Sequence, residues 1–429
     1  MKKLILILVC IGLLSLPLSA MAASEAEKRA AIDAGLAWLA TQQQANGRWI
    51  YDNSTGDTAA TGSALLAFLE ERPNWGTNAA AYQARVDNGL NYLFSQAEIV
   101  PIAVQPAGNP DGDGNGVGVQ FVPGLTNGRA TYVSGIVVPA IASSGTPNAL
   151  VTVGPLVGRT DGTGPGGAWT YRDVVQNSID YFAFGQSDAA TANYRGGWRY
   201  YANEGSSDQS TTQWPIIAGL FASKMVVSFP NFVKPELANW TSYIQNPAGF
   251  AGYDGPNSPL GEMNETGAQL MMQAFLGLGT GNANVANAIS YINSQWMTTA
   301  NSTWDGNFGH PYAMWAIYKG LELMLGLDDM TTITNLRPNP GDVDNPNHGY
   351  NWWEDYCEYL VSTQVGGTWS GYSYWTGPMA TGWYINILAA TRIPDGGGNG
   401  GEVPEPTTMI LLGSGLVGLA GYARKRMKK

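Results

Sequence analysis

The sequence predicts an all-α fold, an (α/α)6 toroid of six helix-pair repeats, followed by one C-terminal membrane-spanning helix. Three observations predict it: an apolar helix pattern that recurs in pairs, a length beyond the usual single-domain range, and an apolar C-terminal stretch with a basic end. A pair of amphipathic helices cannot bury its apolar stripe alone, so repeated pairs must stack on their neighbours. Six pairs can close into a ring, which hides the end faces that an open solenoid would have to cap.

The first element is a signal peptide over residues 1–23. A basic start precedes an apolar run at residues 4–16, and the Ala-Met-Ala end at 20–22 suits cleavage by signal peptidase. The chain is therefore expected to be exported. Of its two cysteines only Cys357 then remains, so no intrachain disulfide forms and stability must come from packing.

The first and last helix pairs share one pattern. "AGLAWLATQQQANGRW" at 34–49 precedes the apolar helix "ATGSALLAFL" at 60–69. The same order recurs at 359–369, followed by "ATGWYINILAA" at 380–390. Both second helices begin with Ala-Thr-Gly, which marks the two segments as copies of one repeat.

Four less regular copies lie between these two and complete a repeat domain over residues 24–392. Each has an aromatic or aliphatic first helix and a more apolar second helix. The second helices are "ATYVSGIVVPAI" from Ala130, "STTQWPIIAGL" from Ser210, "ETGAQLMMQAFLGL" from Glu265 and "HPYAMWAIYKGL" from His310.

The joint of the first repeat carries a recognisable motif. Gln43-x3-Gly47-x-Trp49 resembles the QW motif of squalene–hopene cyclases and of the wider prenyltransferase/squalene oxidase repeat group. The resemblance covers about residues 30–392 and implies an α/α toroid. The catalytic motifs of these families do not carry over. The sequence has no Asp-x-Asp-Asp acid and no Cys-x-Glu-Gln thioester element, and no histidine follows Asp355 and Cys357 to complete a zinc set.

The last elements are a Gly-rich linker at 393–402 and a segment at 403–429. In that segment Pro404, Glu405 and Pro406 precede an apolar stretch at 407–423 and a basic tail at 424–429. As a helix the stretch would be about 25 Å long, near the 30 Å of a bilayer core, and its basic tail is expected to stay cytoplasmic.

This segment closely resembles the PEP-CTERM sorting signal of Gram-negative bacteria. The resemblance implies processing by an exosortase near the Pro-Glu-Pro box, after a transient anchoring in the inner membrane. The final location would be the periplasm, the cell surface or the extracellular matrix, in cells that often secrete exopolysaccharide.

Composition narrows the choice of partner. The net charge is −11, and the two processed ends are basic, so the mature chain is still more acidic and nucleic acid is excluded. Only 13% of residues are charged, whereas glycine, tryptophan and tyrosine are abundant. Such a composition is common in exported proteins that contact glycans.

Candidate site residues follow from the toroid. Its inner helices run parallel, so their N-termini gather at one mouth, where free N–H groups favour anionic or hydroxyl-rich ligands. As catalytic candidates we expect Glu262 or Glu265 as acid, Asp208 as base and His310 as their partner. As ligand-binding candidates we expect Trp198, Trp214, Tyr312, Tyr374, Trp375, Asp57 and Tyr132.

One segment, "NPDGDGNGVG" at 109–118, has the pattern of a calcium-binding loop. Asp111, Asp113, Asn115 and the following glycine stand in the order of an EF-hand-like loop, D-x-D-x-N-G. Its twelfth position is Val122 rather than glutamate, so a flexible Gly/Asp loop remains the alternative.

Three functions stay open. The first is an exported toroid that binds glycan or another envelope component. The second is a polysaccharide-degrading hydrolase or lyase on the same scaffold. The third, a divergent terpenoid cyclase relative, is disfavoured by the missing acid motif and by export.

Overall fold

The computed structural model describes residues 22–51, 56–122, 129–188, 193–338 and 350–394. Within these ranges the chain forms twelve α-helices and one two-stranded sheet, which confirms the all-α expectation. The signal peptide up to residue 21, the linker from residue 395 and the sorting segment with its apolar stretch lie outside the described residues. No helix among the described residues has the length and apolar character needed to cross a membrane.

The helices follow one another as six pairs. The first members, here called the peripheral helices, are α1 (Glu25–Gln42), α3 (Ala79–Ser95), α5 (Tyr171–Gly185), α7 (Val233–Ile244), α9 (Ala283–Gln295) and α11 (Trp352–Thr363). The second members, here called the central helices, are α2 (Asp57–Glu70), α4 (Ala130–Ala142), α6 (Gln209–Ala222), α8 (Glu262–Phe275), α10 (Pro311–Leu325) and α12 (Gly377–Leu388).

The two sets differ in burial. Helix α2 is buried at every position but its last, whereas α1 buries mainly one stripe that includes Ile32, Leu36 and Leu39. The central helices contact one another in cyclic order, α2 with α4, α4 with α6, α6 with α8, α8 with α10, α10 with α12, and α12 with α2. The core therefore lies among the central helices, and the peripheral helices pack against them.

Glycines bring central helices close together. A Cβ at Gly135 of α4 would lie 2.6 Å from the backbone of Trp214 in α6, and one at Gly267 of α8 would lie 2.5 Å from the nitrogen of Ile317 in α10. Such distances leave no room for a side chain. Gly382 of α12 meets α2 in the same way.

Buried tryptophans stabilise the turn between the two helices of a pair, here called the joint. In three repeats a glycine with positive φ stands two residues before the tryptophan, whose Nε1 donates to a carbonyl near the end of the preceding peripheral helix. These bonds join Trp49 to Leu39, Trp198 to Phe182 and Trp369 to Leu360, each at 2.7 Å.

A hydroxyl at the start of the central helix completes the joint. Thr61 accepts the backbone N–H of Trp49 at 3.0 Å, and Thr212 accepts that of Trp198 at 3.0 Å. Ser134 does the same for Phe121 at 2.8 Å. The hydroxyl thus satisfies a buried N–H group that no ladder would otherwise pair.

The second pair carries the only sheet of the described residues. Strands β1 (Ala97–Pro101) and β2 (Val117–Phe121) pair antiparallel, with Ala97 opposite Phe121. The hairpin packs on α5, where a Cβ at Gly118 would lie 2.9 Å from the Cα of Tyr181. The loop at 102–116 that joins the strands is thereby held close to that peripheral helix.

Candidate functional site

A cavity of about 410 Å³ lies where the central helices begin. All six of them contribute a residue from their first turn to its lining, which places the helix starts around one space. These residues are Ala59, Tyr132, Val133, Ser210, Asn264, Glu265, Tyr312 and Met379.

Aromatic side chains dominate the cavity wall. Eight of the described lining residues are aromatic, whereas only Arg129 and Glu265 carry a formal charge. The eight are Tyr51, Tyr132, Tyr200, Tyr253, Trp304, Tyr312, Tyr374 and Trp375.

Three of these tyrosines occupy the same repeat position, which sequence reasoning missed. Tyr51 and Tyr200 each stand two residues after a joint tryptophan, and Tyr253 stands two residues after Ala251, whose backbone N–H also donates to a threonine hydroxyl. In extended backbone, residues two apart point to the same side. The sequence pattern that could have identified these lining residues is a tyrosine that recurs two positions after Trp49, Trp198 and Ala251.

Three aromatic residues form a connected wall. The rings of Tyr312 and Trp375 stack with centroids 4.8 Å apart, and Nε1 of Trp375 donates to the hydroxyl of Tyr132 at 3.1 Å. The Tyr312 hydroxyl in turn donates to the carbonyl of Ser210 at 2.7 Å. These contacts fix the ring orientations before any ligand arrives.

The rim is formed by exposed aromatic residues on strained backbone. Trp304 is 40% exposed and Tyr374 is 51% exposed, and their rings lie 6.2 Å apart. Trp304 and Ser373 both adopt left-handed φ values, 57° and 49°, and Nε1 of Trp304 donates to the Ser373 hydroxyl at 3.1 Å. Non-glycine residues rarely adopt this conformation unless their surroundings hold them there.

Among the described residues that line the cavity, Glu265 is the one with a carboxyl group. Its side chain is 1% exposed, Oε1 accepts from Asn264 at 3.1 Å, and the buried Oε2 has no hydrogen-bond partner within the described part of the chain. Burial raises the pKa of this carboxyl well above its ordinary value, and the charges of Asp208 and Asp305 raise it further. A raised pKa favours the protonated form, in which the group donates a hydrogen bond.

The other catalytic candidates do not line the cavity. Asp208 is fully buried, where it caps α6 through Thr211 at 2.6 Å and pairs with Arg199 at 3.0 Å. Glu262 accepts from the Tyr291 hydroxyl at 2.8 Å. The expected constellation of acid, base and partner is therefore not assembled in the cavity.

His310 also has a structural environment. Its Nδ1 accepts the backbone N–H of Ala313 at 3.3 Å, so Nε2 carries the proton and donates to the carbonyl of Trp304 at 3.2 Å. Burial lowers the pKa of this imidazole to about 4, so it is neutral at physiological pH. His310 caps α10 and supports the rim rather than facing the cavity.

The ligand-binding candidates divide into two groups. Tyr132, Tyr312, Tyr374 and Trp375 line the cavity as described above. The remaining candidates are buried in other roles: Trp198 fastens a joint, Trp214 stacks on Trp383 with centroids 5.7 Å apart, and Asp57 accepts the backbone N–H of Tyr51 at 2.8 Å.

The candidate metal loop brings together a different set from the one expected. One carboxylate oxygen from each of Asp111, Asp113 and Asp180 lies within 4.8 Å of the other two. Asp180 belongs to α5 and was missed, because its place beside the loop depends on how the hairpin packs. Burial raises the pKa of Asp180 to about 8. The Asn115 side-chain oxygen instead accepts the N–H of Val117 at 2.9 Å.

One known family matches the chain. The model of the PEP-CTERM protein-sorting motif matches residues 402–426, which include the Pro-Glu-Pro box. The match implies an exosortase as processing partner, and export through a membrane-anchored sorting step in a Gram-negative bacterium. It stops short of the helical repeats, so the likeness to prenyltransferase/squalene oxidase repeats stays a prediction. No curated protein matches the chain.

Proposed function

We propose that this exported chain binds a glycan or another polyhydroxylated envelope component in the cavity. The scaffold of the proposal is an (α/α)6 toroid, which is supported by the cyclic contacts of the central helices. The Ser63 hydroxyl of α2 donates to the carbonyl of Met379 in α12 at 2.8 Å, between the first and last pairs. After processing by exosortase, the protein would act in the periplasm, at the cell surface or in the extracellular matrix.

The observation that carries the binding proposal is the aromatic wall at six helix starts. An aromatic face packs well against the apolar C–H face of a sugar ring, while the phenolic hydroxyls of the lining can exchange hydrogen bonds with the sugar hydroxyls. The volume of about 410 Å³ falls within the range of small-molecule sites. An extended polymer could enter with one or a few of its units.

The rim supports the same proposal. Strained non-glycine backbone clusters at binding sites, and exposed aromatic groups that lie side by side mark interaction surfaces. Trp304 and Tyr374 combine the two features, since Trp304 is itself left-handed and Tyr374 directly follows the left-handed Ser373. They stand where a chain of sugars would leave the cavity.

Polysaccharide hydrolysis fits the described residues of the cavity wall less well than binding does. Most glycoside hydrolases place two carboxyl groups on either side of the scissile bond, one as acid and one as base or nucleophile. Among the described lining residues only Glu265 offers a carboxyl. Cyclisation by alkene protonation fits poorly too, because a raised pKa makes Glu265 a weaker acid.

Co-elution with polymers of known length tests the proposal. The full chain in detergent micelles is mixed with neutral and acidic polysaccharides and analysed by size-exclusion chromatography, with reducing ends assayed in parallel. Tyr374→Ala removes an exposed ring from the rim. Tyr201→Ala, which removes a ring that is 47% exposed outside the cavity lining, is the matched control.

The outcomes separate the candidate functions. Retention by the wild type and by Tyr201→Ala, with loss in Tyr374→Ala and polymer of unchanged length, supports binding. New reducing ends that disappear in Glu265→Gln would replace binding with an enzymatic function. Absence of retention on every polymer would reject the glycan proposal.

A further inference from the structure

The loop between β1 and β2 is folded around acidic side chains. Asp111 accepts the backbone N–H groups of Gly114 at 2.7 Å and Gly116 at 2.9 Å, and both glycines have positive φ. Asp113 accepts the N–H of Asn115 at 3.2 Å. The loop is thus curled so that carboxylates at alternate positions come together.

Helix α5 presents two buried polar side chains to this loop. Asp180 and Asn177 are fully buried, and Oδ2 of Asp180 and Oδ1 of Asn177 have no hydrogen-bond partner among the described residues. The carboxylate of Asp180 completes the three-carboxylate group with Asp111 and Asp113, and Nδ2 of Asn177 donates to Asp113 at 3.0 Å. An acceptor buried without a donor is costly, so Oδ2 of Asp180 points to a ligand bound at the three-carboxylate group.

We infer that Asp111, Asp113 and Asp180 bind one calcium ion that fastens the β1–β2 loop to helix α5. This site differs from the EF-hand pattern of the sequence, because the third carboxylate comes from the next helix pair rather than from the loop. It is independent of the cavity and of the function proposed for it. Its role is to hold the hairpin insertion against the neighbouring repeat.

The donors and their spacing suit calcium. Every donor is a carboxylate oxygen, which suits a hard cation rather than zinc or copper. Calcium binds oxygen at about 2.3–2.6 Å, so two ligands on opposite sides of the ion are about 4.6–5.2 Å apart. The carboxylate oxygens, all within 4.8 Å of one another, can therefore surround one ion. An exported protein also meets calcium at concentrations that extracellular sites use, roughly 0.1–1 mM.

Calorimetric titration and thermal unfolding test the inference. The full chain in detergent micelles is stripped with EGTA and titrated with CaCl2 up to about 10 mM, above the dissociation constants of extracellular sites. The variants are Asp180→Asn and Asp111→Asn, and the control is Asp87→Asn, which changes an exposed carboxylate on α3. A parallel titration uses MgCl2.

The expected result is one calcium ion per chain and a midpoint of unfolding that rises with calcium in the wild type and in the control. Asp180→Asn and Asp111→Asn should weaken binding at least about tenfold. In EGTA, Asp180→Asn should be about as stable as the wild type, because asparagine keeps the shape of the side chain and an oxygen that can accept from the Gly112 N–H and from Gln176. That behaviour distinguishes a lost ligand from a damaged fold.

Two results would overturn the assignment. One is a wild-type chain that neither binds calcium nor shifts its unfolding midpoint, or that responds to magnesium alone. The other is wild-type calcium affinity in both Asp180→Asn and Asp111→Asn.

Discussion

At the scale of single residues, the position of a side chain on its helix decided which candidates reached the cavity. Asp208 and His310 are N-caps, and an N-cap side chain turns back to the N–H groups of its own helix. Tyr312 and Glu265 stand two and four positions after the N-caps of their own helices and face the cavity. The sequence pattern located the helix starts, but it did not separate capping residues from lining residues.

Glu265 leads to a prediction about pH. Its folded pKa lies above the ordinary value of 4.5, so the folded chain binds more protons than the unfolded chain above about pH 4.5. Its contribution to stability is therefore full at low pH and declines as the pH rises toward the folded pKa. We expect the free energy of unfolding of Glu265→Gln, minus that of the wild type, to increase between pH 5 and pH 8 in urea titrations.

The control for this prediction is Glu98→Gln, which alters an exposed carboxyl on β1. Its difference from the wild type should not grow over the same pH range. A Glu265→Gln curve parallel to that of the wild type would show that the carboxyl is ionised at neutral pH in the folded chain.

The joint tryptophans give a second prediction at this scale. Trp198→Phe removes the donor to the buried carbonyl of Phe182 and leaves a small void, so we expect a loss of about 2–4 kcal/mol in the free energy of unfolding. Trp304→Phe, at the exposed rim, should cost less than about 1 kcal/mol, because water can replace its partner. Equal losses of unfolding free energy in denaturant titrations would mean that Trp198 does not stabilise its joint more than an exposed tryptophan stabilises the rim.

At the scale of elements, the helix pairs were predictable because five of the six central helices are more apolar than the peripheral helix before them, and three joints repeat a glycine two residues before a tryptophan. The hairpin of β1 and β2 was not predicted. Its strands form by pairing Ala97–Pro101 with Val117–Phe121 and by resting on α5, contacts that no local pattern records. Asp180 was missed for the same reason.

The glycines of the central helices yield a prediction about helix packing. Gly135→Ala would place its Cβ 2.3 Å from Cβ of Trp214, with backbone atoms behind it. Helices α4 and α6 would have to move apart, and we expect a loss of about 1–3 kcal/mol in the free energy of unfolding, despite the higher helix propensity of alanine.

Gly279→Ala is the matched control for that substitution. No atom lies within 4 Å of its added Cβ, so unfolding in urea should show no loss, or a gain of up to about 1 kcal/mol. If Gly135→Ala were as stable as this control, the close approach of α4 and α6 would not limit packing.

At the scale of the whole molecule, closure is the property that the repeats alone do not dictate. Equivalent helix pairs can stack into an open superhelix as readily as into a ring. What differs is whether the last pair covers the first. Here α12 packs against both α1 and α2, and Lys28 of α1 pairs with Glu354 of α11 at 2.8 Å.

A circular permutant tests closure directly. The exposed loop between Gly279 and Thr280 is cut, and residue 394 is joined to residue 24 by a short Gly-rich linker. Because the first and last pairs already contact each other, we expect one cooperative thermal transition and unchanged polysaccharide retention. A linear chain that lacks residues 350–394 should lose the cooperative transition, since α2 and α10 would both be uncovered.

A permutant that unfolds in two steps, or a truncated chain as stable as the whole, would show that the six pairs act as an open stack, in which covering the first pair contributes little.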